Sequence, residues 1–270
     1  MNHKLSEKEK EARTRLVLPL DGMYTRKEVS NRLDEFKGYA GIAKVGITTF
    51  TALGHNTIEL VQTVGLDLFL DLKYHDIPKQ VEGAATAAAR NNVYMFTVHT
   101  GGGSEMLRHA VHGTQEGAEI HRSKRPLVIG VTILTSINEN IMNNEVGIPG
   151  TVPDRVLERG LMAAEAGLDG VVCSANELEG LRPELPDDFV YVTPGIKGPH
   201  AEAGSDQARE RIATPGNAIR WGSSYLVVGR AIRTTQHPKH ANKEPTRFSR
   251  IWQRSSKHKD PSPLFRPQTI

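Results

Sequence analysis

Short apolar runs alternate with helix-like segments along most of this chain, and that alternation constrains its fold more than any other feature. Strands that alternate with helices indicate βαβ units and a parallel sheet. Eight such units favour a closed (β/α)8 barrel, also called a TIM barrel, in the α/β class. The predicted strands are residues 16–20, 41–45, 68–72, 93–98, 127–132, 170–173, 190–193 and 225–228.

The intervening segments have helical character, and the proline and glycine residues at their ends support the assignment. Pro153 suits a first helical turn and Gly167 suits a helix end. The chain is predicted to become a polar loop over 111–120. A Rossmann fold is the alternative, but no G-x-G-x-x-G follows the first strand. The predicted helices are residues 26–37, 56–64, 80–91, 104–115, 153–166, 175–181 and 214–221.

One barrel domain over 16–237 is the economical division, with a charged segment at 1–15 and a basic C-terminal helix or tail at 238–270. The 270 residues are 38% hydrophobic, enough for one sizeable core. No apolar run reaches the length of a membrane span, and the charged start is unlike a secretory signal. The single cysteine, Cys173, excludes an internal disulfide and favours a reducing cytoplasm.

The net charge of +3 is unevenly distributed. Residues 237–270 hold eight Lys/Arg and two Asp/Glu, which is +6, so residues 1–236 sum to −3. A basic tail can contact nucleic acid. Its Lys, Pro and Ser content favours a solvated end instead, and no nucleic-acid partner is expected.

Active sites of these barrels lie at the C-terminal ends of the strands, so polar residues there are candidates. The stretch 68–78, LFLDLKYHDIP, holds the most informative of them. Strand alternation places its leucines against the outer helices, and Phe69, Asp71 and Lys73 on the inner face. Mutual pairing of Asp71 and Lys73 is one interpretation. Lys44 on the neighbouring strand faces the same mouth, and with Asp76 predicts an array of alternating charges.

Such an array suits a decarboxylation. A carboxylate such as Asp71 repels a substrate carboxylate, and the repulsion fades as carbon dioxide leaves. Carboxylates on either side favour the ammonium form of Lys73. That ammonium can then stabilise and protonate the carbanion. The scheme requires no metal and no cofactor.

Asp71-Leu-Lys73-Tyr-His-Asp76-Ile77-Pro78 resembles the D-x-K-x-x-D-I-P signature of the orotidine 5′-phosphate decarboxylase family. The resemblance extends over about residues 16–237, with further matching pieces at strand ends. These pieces are Leu20-Asp21, Ala43-Lys44-Val45-Gly46, Val98-His99, Val131-Thr-Ile-Leu-Thr-Ser136, Gly167-Leu-Asp-Gly-Val-Val-Cys-Ser174, Val192-Thr-Pro-Gly-Ile196, Asp206-Gln207 and Val227-Val-Gly-Arg230.

The resemblance implies loss of carbon dioxide from orotidine 5′-monophosphate to give uridine 5′-monophosphate. It makes Lys73 the proton donor to C6 and puts Asp71 beside the departing carboxylate. It assigns the ribose hydroxyls to Lys44 and Asp21. It also implies a homodimer in which Asp76, with Ile77 beside it, reaches the partner's site; capping of the following helix by Asp76 is the simpler alternative.

The resemblance also assigns the two ends of the nucleotide. Thr135 contacts the pyrimidine, unless Thr135 or Ser136 only caps the following helix. Gly229, Arg230 and Lys197 lie where such barrels often hold phosphate. Gln207 bridges pyrimidine and phosphate from a lid loop over 193–211. His99 is interpreted as structural.

Lys197 and the pair Lys79-Gln80 depart from the family pattern, and two other functions stay open. Lys197 replaces the usual arginine, which keeps the charge and loses the bidentate fork. Lys79-Gln80 replaces a small polar pair after D-I-P. One alternative is a magnesium-dependent sugar-phosphate decarboxylase or aldolase of the same suprafamily. The other is a non-catalytic nucleotide-binding barrel that uses its tail on RNA.

Overall fold

The computed structural model describes residues 7–196 and 213–229. The predicted helix or tail at 238–270 therefore lies outside the described residues. The elements in chain order are α1 Glu7–Arg15, β1 Leu16–Pro19, α2 Arg26–Phe36, β2 Ile42–Gly46, α3 Ile47–Leu53, α4 Asn56–Thr63, β3 Asp67–Tyr74, α5 Pro78–Arg90, β4 Met95–His99, α6 Gly103–His121, β5 Leu127–Val131, α7 Glu139–Asn144, α8 Val152–Glu165, β6 Gly170–Val172, α9 Leu178–Leu181, β7 Val190–Thr193, α10 Pro215–Arg220 and β8 Tyr225–Val227.

The described strands close into one parallel barrel in the order β1 to β8. Each strand pairs with the next along the chain, and β8 returns to β1 through Leu16↔Leu226 and Val17↔Val227. The predicted (β/α)8 barrel is confirmed, and each strand begins and ends within two residues of its predicted bounds. All C-terminal strand ends therefore meet at one mouth.

Apolar side chains fill the barrel and the layer outside it. On β3, Phe69 belongs to the interior, whereas Leu68 and Leu70 pack in the layer between strands and helices with Leu72 against them. The predicted division of β3 into two faces is therefore confirmed. The interior residues are Val17, Ile42, Phe69, Met95, Ile129, Val190, Val192 and Tyr225.

Local sequence explains how several helices begin. The Thr25 hydroxyl accepts from the Glu28 N–H, and the Glu28 side chain returns to the Thr25 N–H, a capping box that starts α2. Thr151 caps α8, and Pro153 lies in its first turn as predicted. Gly167 follows α8 with a φ of +84°, a backbone conformation that favours glycine.

The main error of prediction concerns α6. Residues 111–120 are not a polar loop, because α6 continues to His121. Gly113 and Gly117, which weaken a helix in isolation, are buried where α6 meets α5. Two other helices, α1 and α3, were missed, and α7 was expected only as a helix without stated bounds after Thr135 and Ser136. Among the described helices, none combines the length and the apolar character needed to cross a bilayer.

Candidate active site

Asp71 is the centre of a cluster of charges at the barrel mouth. Its side chain is 11% exposed on the inner face of β3, beyond Phe69. The Lys44 ammonium lies 3.1 Å from its Oδ2, and the Lys73 ammonium lies 2.8 Å from its Oδ1. Each carboxylate oxygen therefore has its own cation, which offsets the cost of burial.

Lys44 extends this arrangement toward β1. Its side chain is 8% exposed, and its Nζ also donates to Asp21 Oδ1 at 2.9 Å. Asp21 lies in the turn after β1 and is half exposed. Asp21, Lys44, Asp71 and Lys73 thus form a row of alternating charges, called the charge row below.

Burial and pairing act against each other within the charge row. Burial alone would raise the pKa of Asp71, but Lys44 and Lys73 outweigh it and hold that pKa below the ordinary value. Burial alone would lower the pKa of Lys44, but Asp71 and Asp21 outweigh it and hold that pKa above the ordinary value. The row therefore keeps a buried carboxylate ionised beside a buried ammonium at neutral pH.

The backbone of β3 is irregular at Lys73. Leu70 pairs with Phe96 and Tyr74 pairs with Val98, so β3 holds two more residues than β4 between these pairs. Lys73 takes up the irregularity with a φ of +52°, which is uncommon for a residue with a side chain. Such conformations cost free energy and concentrate at functional sites.

Thr97 on β4 stabilises this irregular segment, and the sequence analysis did not identify it. Its buried hydroxyl accepts from the Lys73 N–H at 2.9 Å and donates to Asp71 Oδ1 at 3.0 Å. One side chain thus orients two members of the charge row. The available signal was strand alternation, which puts Thr97 on the same inner face as Met95.

Gly46 leaves the room that Asp21 and Lys44 occupy. A Cβ on Gly46 would lie 2.4 Å from Asp21 Oδ1 and 3.2 Å from Lys44 Nζ. A side chain at residue 46 would therefore force the Asp21 carboxylate to move. Glycine at the end of β2 lets this ion pair keep its position.

Comparison with known proteins identifies the family. Residues 14–244 match the family model described as "Orotidine 5'-phosphate decarboxylase / HUMPS family". The orotidine 5′-phosphate decarboxylase of Heliobacterium modesticaldum is 44% identical over 222 residues, covering 82% of this chain and 90% of that protein.

The chain belongs to the orotidine 5′-phosphate decarboxylase / HUMPS family. The similarly named protein of Syntrophus aciditrophicus is 40% identical over 229 residues, covering 85% of this chain and 90% of that one. The crystal structure of the Lactobacillus acidophilus enzyme of that name superposes with a TM-score of 0.73 at 33% identity, covering 90% of this chain and 99% of that chain. The family predicted from the sequence is confirmed, and these three relatives are named as decarboxylases.

Asp76 lies apart from the charge row. Its side chain is exposed, and its Oδ1 accepts from the Ile77 N–H at 2.7 Å. Ile77 is the residue before α5 and is 64% exposed. No ion pair joins Asp76 to another residue in the described part of the chain. Asp76 does not cap α5, because the helix start has no side-chain cap.

Thr135 lies in the turn that follows β5, at the mouth of the barrel. Its side chain is partly buried, and no hydrogen bond between described residues joins it to the charge row. The interpretation of Thr135 or Ser136 as a helix cap is wrong. α7 begins later, and Asn138 caps it by accepting from the Ile141 N–H.

The expected phosphate end is described only in part. Gly229 follows β8 at the mouth, where a Cβ would lie 3.2 Å from Pro19 Cγ on β1. That close approach leaves little space for a larger residue. Lys197, Gln207 and Arg230 lie outside the described residues.

His99 at the end of β4 stacks on His75, with ring centroids 5.3 Å apart. Burial, together with the charges of His75, Arg159 and Lys73, lowers the pKa of His99 to about 4. The His99 Nδ1 accepts from the Gly101 N–H, which requires a neutral ring. These contacts suit the structural role predicted for His99.

Proposed function

We propose that this chain is a carboxy-lyase that converts orotidine 5′-monophosphate to uridine 5′-monophosphate and carbon dioxide, without a metal or an organic cofactor. The observation that carries the proposal is the buried Asp71 held between the ammonium groups of Lys44 and Lys73. An ionised carboxylate at this point repels a substrate carboxylate placed against it. That repulsion is relieved as the carboxylate becomes neutral carbon dioxide.

The proposed step balances without an external reactant. The bond between C6 and the carboxylate carbon breaks, and its electron pair stays on C6. Lys73 donates a proton from Nζ to C6 and returns to the ammonium form by taking a proton from water. Because Asp71 and Lys73 share a contact of 2.8 Å, the repelling and donating groups act on adjacent atoms of one substrate.

The other assignments concern substrate binding. Asp21 and Lys44 bind the ribose hydroxyls, since Asp21 is the exposed end of the charge row. Thr135 contacts the pyrimidine. Gly229, Arg230, Lys197 and Gln207 bind at the phosphate end of the nucleotide.

A homodimer completes each site in this proposal. Asp76 and Ile77 precede α5 as an exposed carboxylate beside an exposed apolar side chain. Both properties suit a segment that a second copy of the chain covers. Asp76 then joins the partner's charge row, and Ile77 lines the partner's pocket.

The direct test is an ultraviolet assay with orotidine 5′-monophosphate. Lys73→Ala should reduce kcat by about 100- to 10,000-fold, the usual contribution of a positioned general acid, and leave uridine 5′-monophosphate binding largely intact. Lys37→Ala, which removes an exposed lysine paired with Asp34 on α2, is the matched control. Near wild-type turnover of Lys73→Ala would contradict the proposal.

The second candidate is a magnesium-dependent sugar-phosphate decarboxylase or aldolase, because the family description also includes the HUMPS group. Chelation separates the two. Turnover of orotidine 5′-monophosphate that persists in EDTA supports the cofactor-free proposal. Activity on a sugar phosphate that EDTA removes and magnesium restores supports the second candidate.

A further inference from the structure

α5 and α6 approach each other closely at two glycines of α6. A Cβ on Gly113 would lie 2.3 Å from the Glu82 carbonyl oxygen, and one on Gly117 would lie 2.8 Å from Ala89 Cβ. The backbones are therefore nearly in contact there. Because of this approach, the side chain of Glu82 lies against the polar face of α6.

Glu82 is a buried carboxylate with separate partners for its two oxygens. Its side chain is 6% exposed. Lys79 Nζ lies 2.5 Å from Oε1, and His109 Nδ1 is hydrogen-bonded to Oε2. His112 Nδ1 also lies 3.8 Å from Oε1. Oε2 is thus fixed by the imidazole of His109, whereas Oε1 faces a group of polar side chains.

Glu82, His112 and Glu116 form a set of three metal-ligand side chains. One ligand atom from each lies within 4.8 Å of the other two. His112 and Glu116 are four residues apart on α6, so they neighbour each other on one helix face. Zinc binds imidazole nitrogen and carboxylate oxygen at about 2.0–2.2 Å. His112 and Glu116 are exposed, so their side chains are free to rotate toward Glu82.

The Lys79 ammonium occupies the position in this group that a metal ion would take. Its ammonium lies against Glu82 Oε1 and is also attracted by Glu116. Its side chain is 79% exposed, so it can turn into solvent without leaving a cavity. Lys79 is also one of the two residues that depart from the family pattern after D-I-P. A metal ion and the Lys79 ammonium would therefore compete for one carboxylate oxygen.

We propose that Glu82, His112 and Glu116 bind a divalent transition-metal ion of the zinc type between α5 and α6. One nitrogen and two oxygens from the protein, with water, make a ligand set that zinc or cobalt accepts. His109 retains its hydrogen bond to Glu82 Oε2 and so orients the carboxylate. The ion fixes the start of α5 to α6 and takes no part in the proposed reaction.

The test measures Zn²⁺ binding to the full chain without an affinity tag, by titration calorimetry after treatment with a chelator. The chain has eleven histidines, so variants are compared with the wild type. His112→Ala and Glu116→Gln should each weaken one Zn²⁺ equivalent by at least about tenfold. His121→Ala, which removes an exposed histidine near the end of the same helix, should leave it unchanged. Lys79→Gln should bind several-fold more tightly, because the competing cation is gone.

Co²⁺ gives a second reading of the same site. The wild type should show a ligand-field absorption that His112→Ala loses and His121→Ala retains. Circular dichroism checks that each variant is folded. We expect folding to be retained, because His112 and Glu116 are exposed. Equal Zn²⁺ affinity and stoichiometry in the wild type and in His112→Ala would overturn the proposal. An equal loss in His121→Ala would overturn it too.

Discussion

The Lys73 N–H donates to the Thr97 hydroxyl at 2.9 Å, at a residue whose φ is +52°. This hydrogen bond holds an uncommon backbone conformation at the position of the proposed proton donor. The same hydroxyl donates to Asp71 at 3.0 Å. The spacing of Asp71 and Lys73 therefore depends on a residue of the next strand that carries no charge.

Thr97→Val should keep the shape of the side chain and remove both hydrogen bonds. A lost hydrogen bond to a charged group costs about 1.5–3 kcal/mol. If that loss falls on the transition state, kcat decreases by about 10- to 100-fold. Thr97→Ser keeps the hydroxyl and should retain most of the activity. The measurements are kcat, KM and thermal unfolding, and equal kcat in the valine and serine variants would show that the hydroxyl has no positioning role.

Gly46→Ala should displace the ion pair of Asp21 and Lys44, because the new Cβ would lie 2.4 Å from Asp21 Oδ1. We expect kcat/KM for orotidine 5′-monophosphate to decrease by about tenfold or more, from loss of one charged contact. Gly83→Ala on α5 is the matched control, since nothing lies within 4 Å of its added Cβ. This control should keep full activity and gain up to about 1 kcal/mol of stability. Equal kinetics in the two variants would contradict the proposed role of the pair.

The β/α alternation and the face of each β3 residue could be predicted from the sequence, because both depend on short-range periodicity. Leu68 and Leu70 face the helices and Asp71 faces the mouth, as strand alternation requires. The contact of Lys44 with Asp71 followed from the order of parallel strands in a barrel. Local patterns were sufficient where local geometry determines the outcome.

Other features depend on contacts that a single sequence does not display. Residues 111–120 were predicted to be a polar loop, but packing of Gly113 and Gly117 against α5 stabilises them within a helix. The irregular backbone of Lys73 is stabilised by the hydrogen bond that its N–H donates to Thr97 on another strand. Thr97 belongs to no sequence motif. Its place on the inner face of β4 was therefore the one available sign of a role.

Subunit mixing tests whether Asp76 acts in the partner's site. Lys73→Ala and Asp76→Ala homodimers should both be inactive. Random exchange makes half of the dimers mixed, and one of the two sites in each mixed dimer is complete. Activity should therefore recover to about a quarter of the wild-type value.

Mixing Lys73→Ala with Asp71→Ala is the control for that experiment. Both residues belong to the same charge row, so no mixed dimer has a complete site and no activity should return. Subunit exchange is verified by mass spectrometry of differently labelled chains. Exchange without recovery in the first mixture would show that Asp76 is not supplied by the partner.

His99 should make the fold less stable in acid. Its pKa is lowered to about 4 by burial and by nearby positive charges, against an unfolded value of about 6.5. Between these values the unfolded chain binds the proton more readily, so the free energy of unfolding rises with pH across the window. The stabilisation is present above about pH 6.5 and is lost as the pH falls toward 4. His99→Asn should flatten the pH dependence of the unfolding midpoint in that window, and His121→Asn, at an exposed position, should not. Parallel curves for the wild type and His99→Asn would show that the stacked histidine does not cause the acid sensitivity.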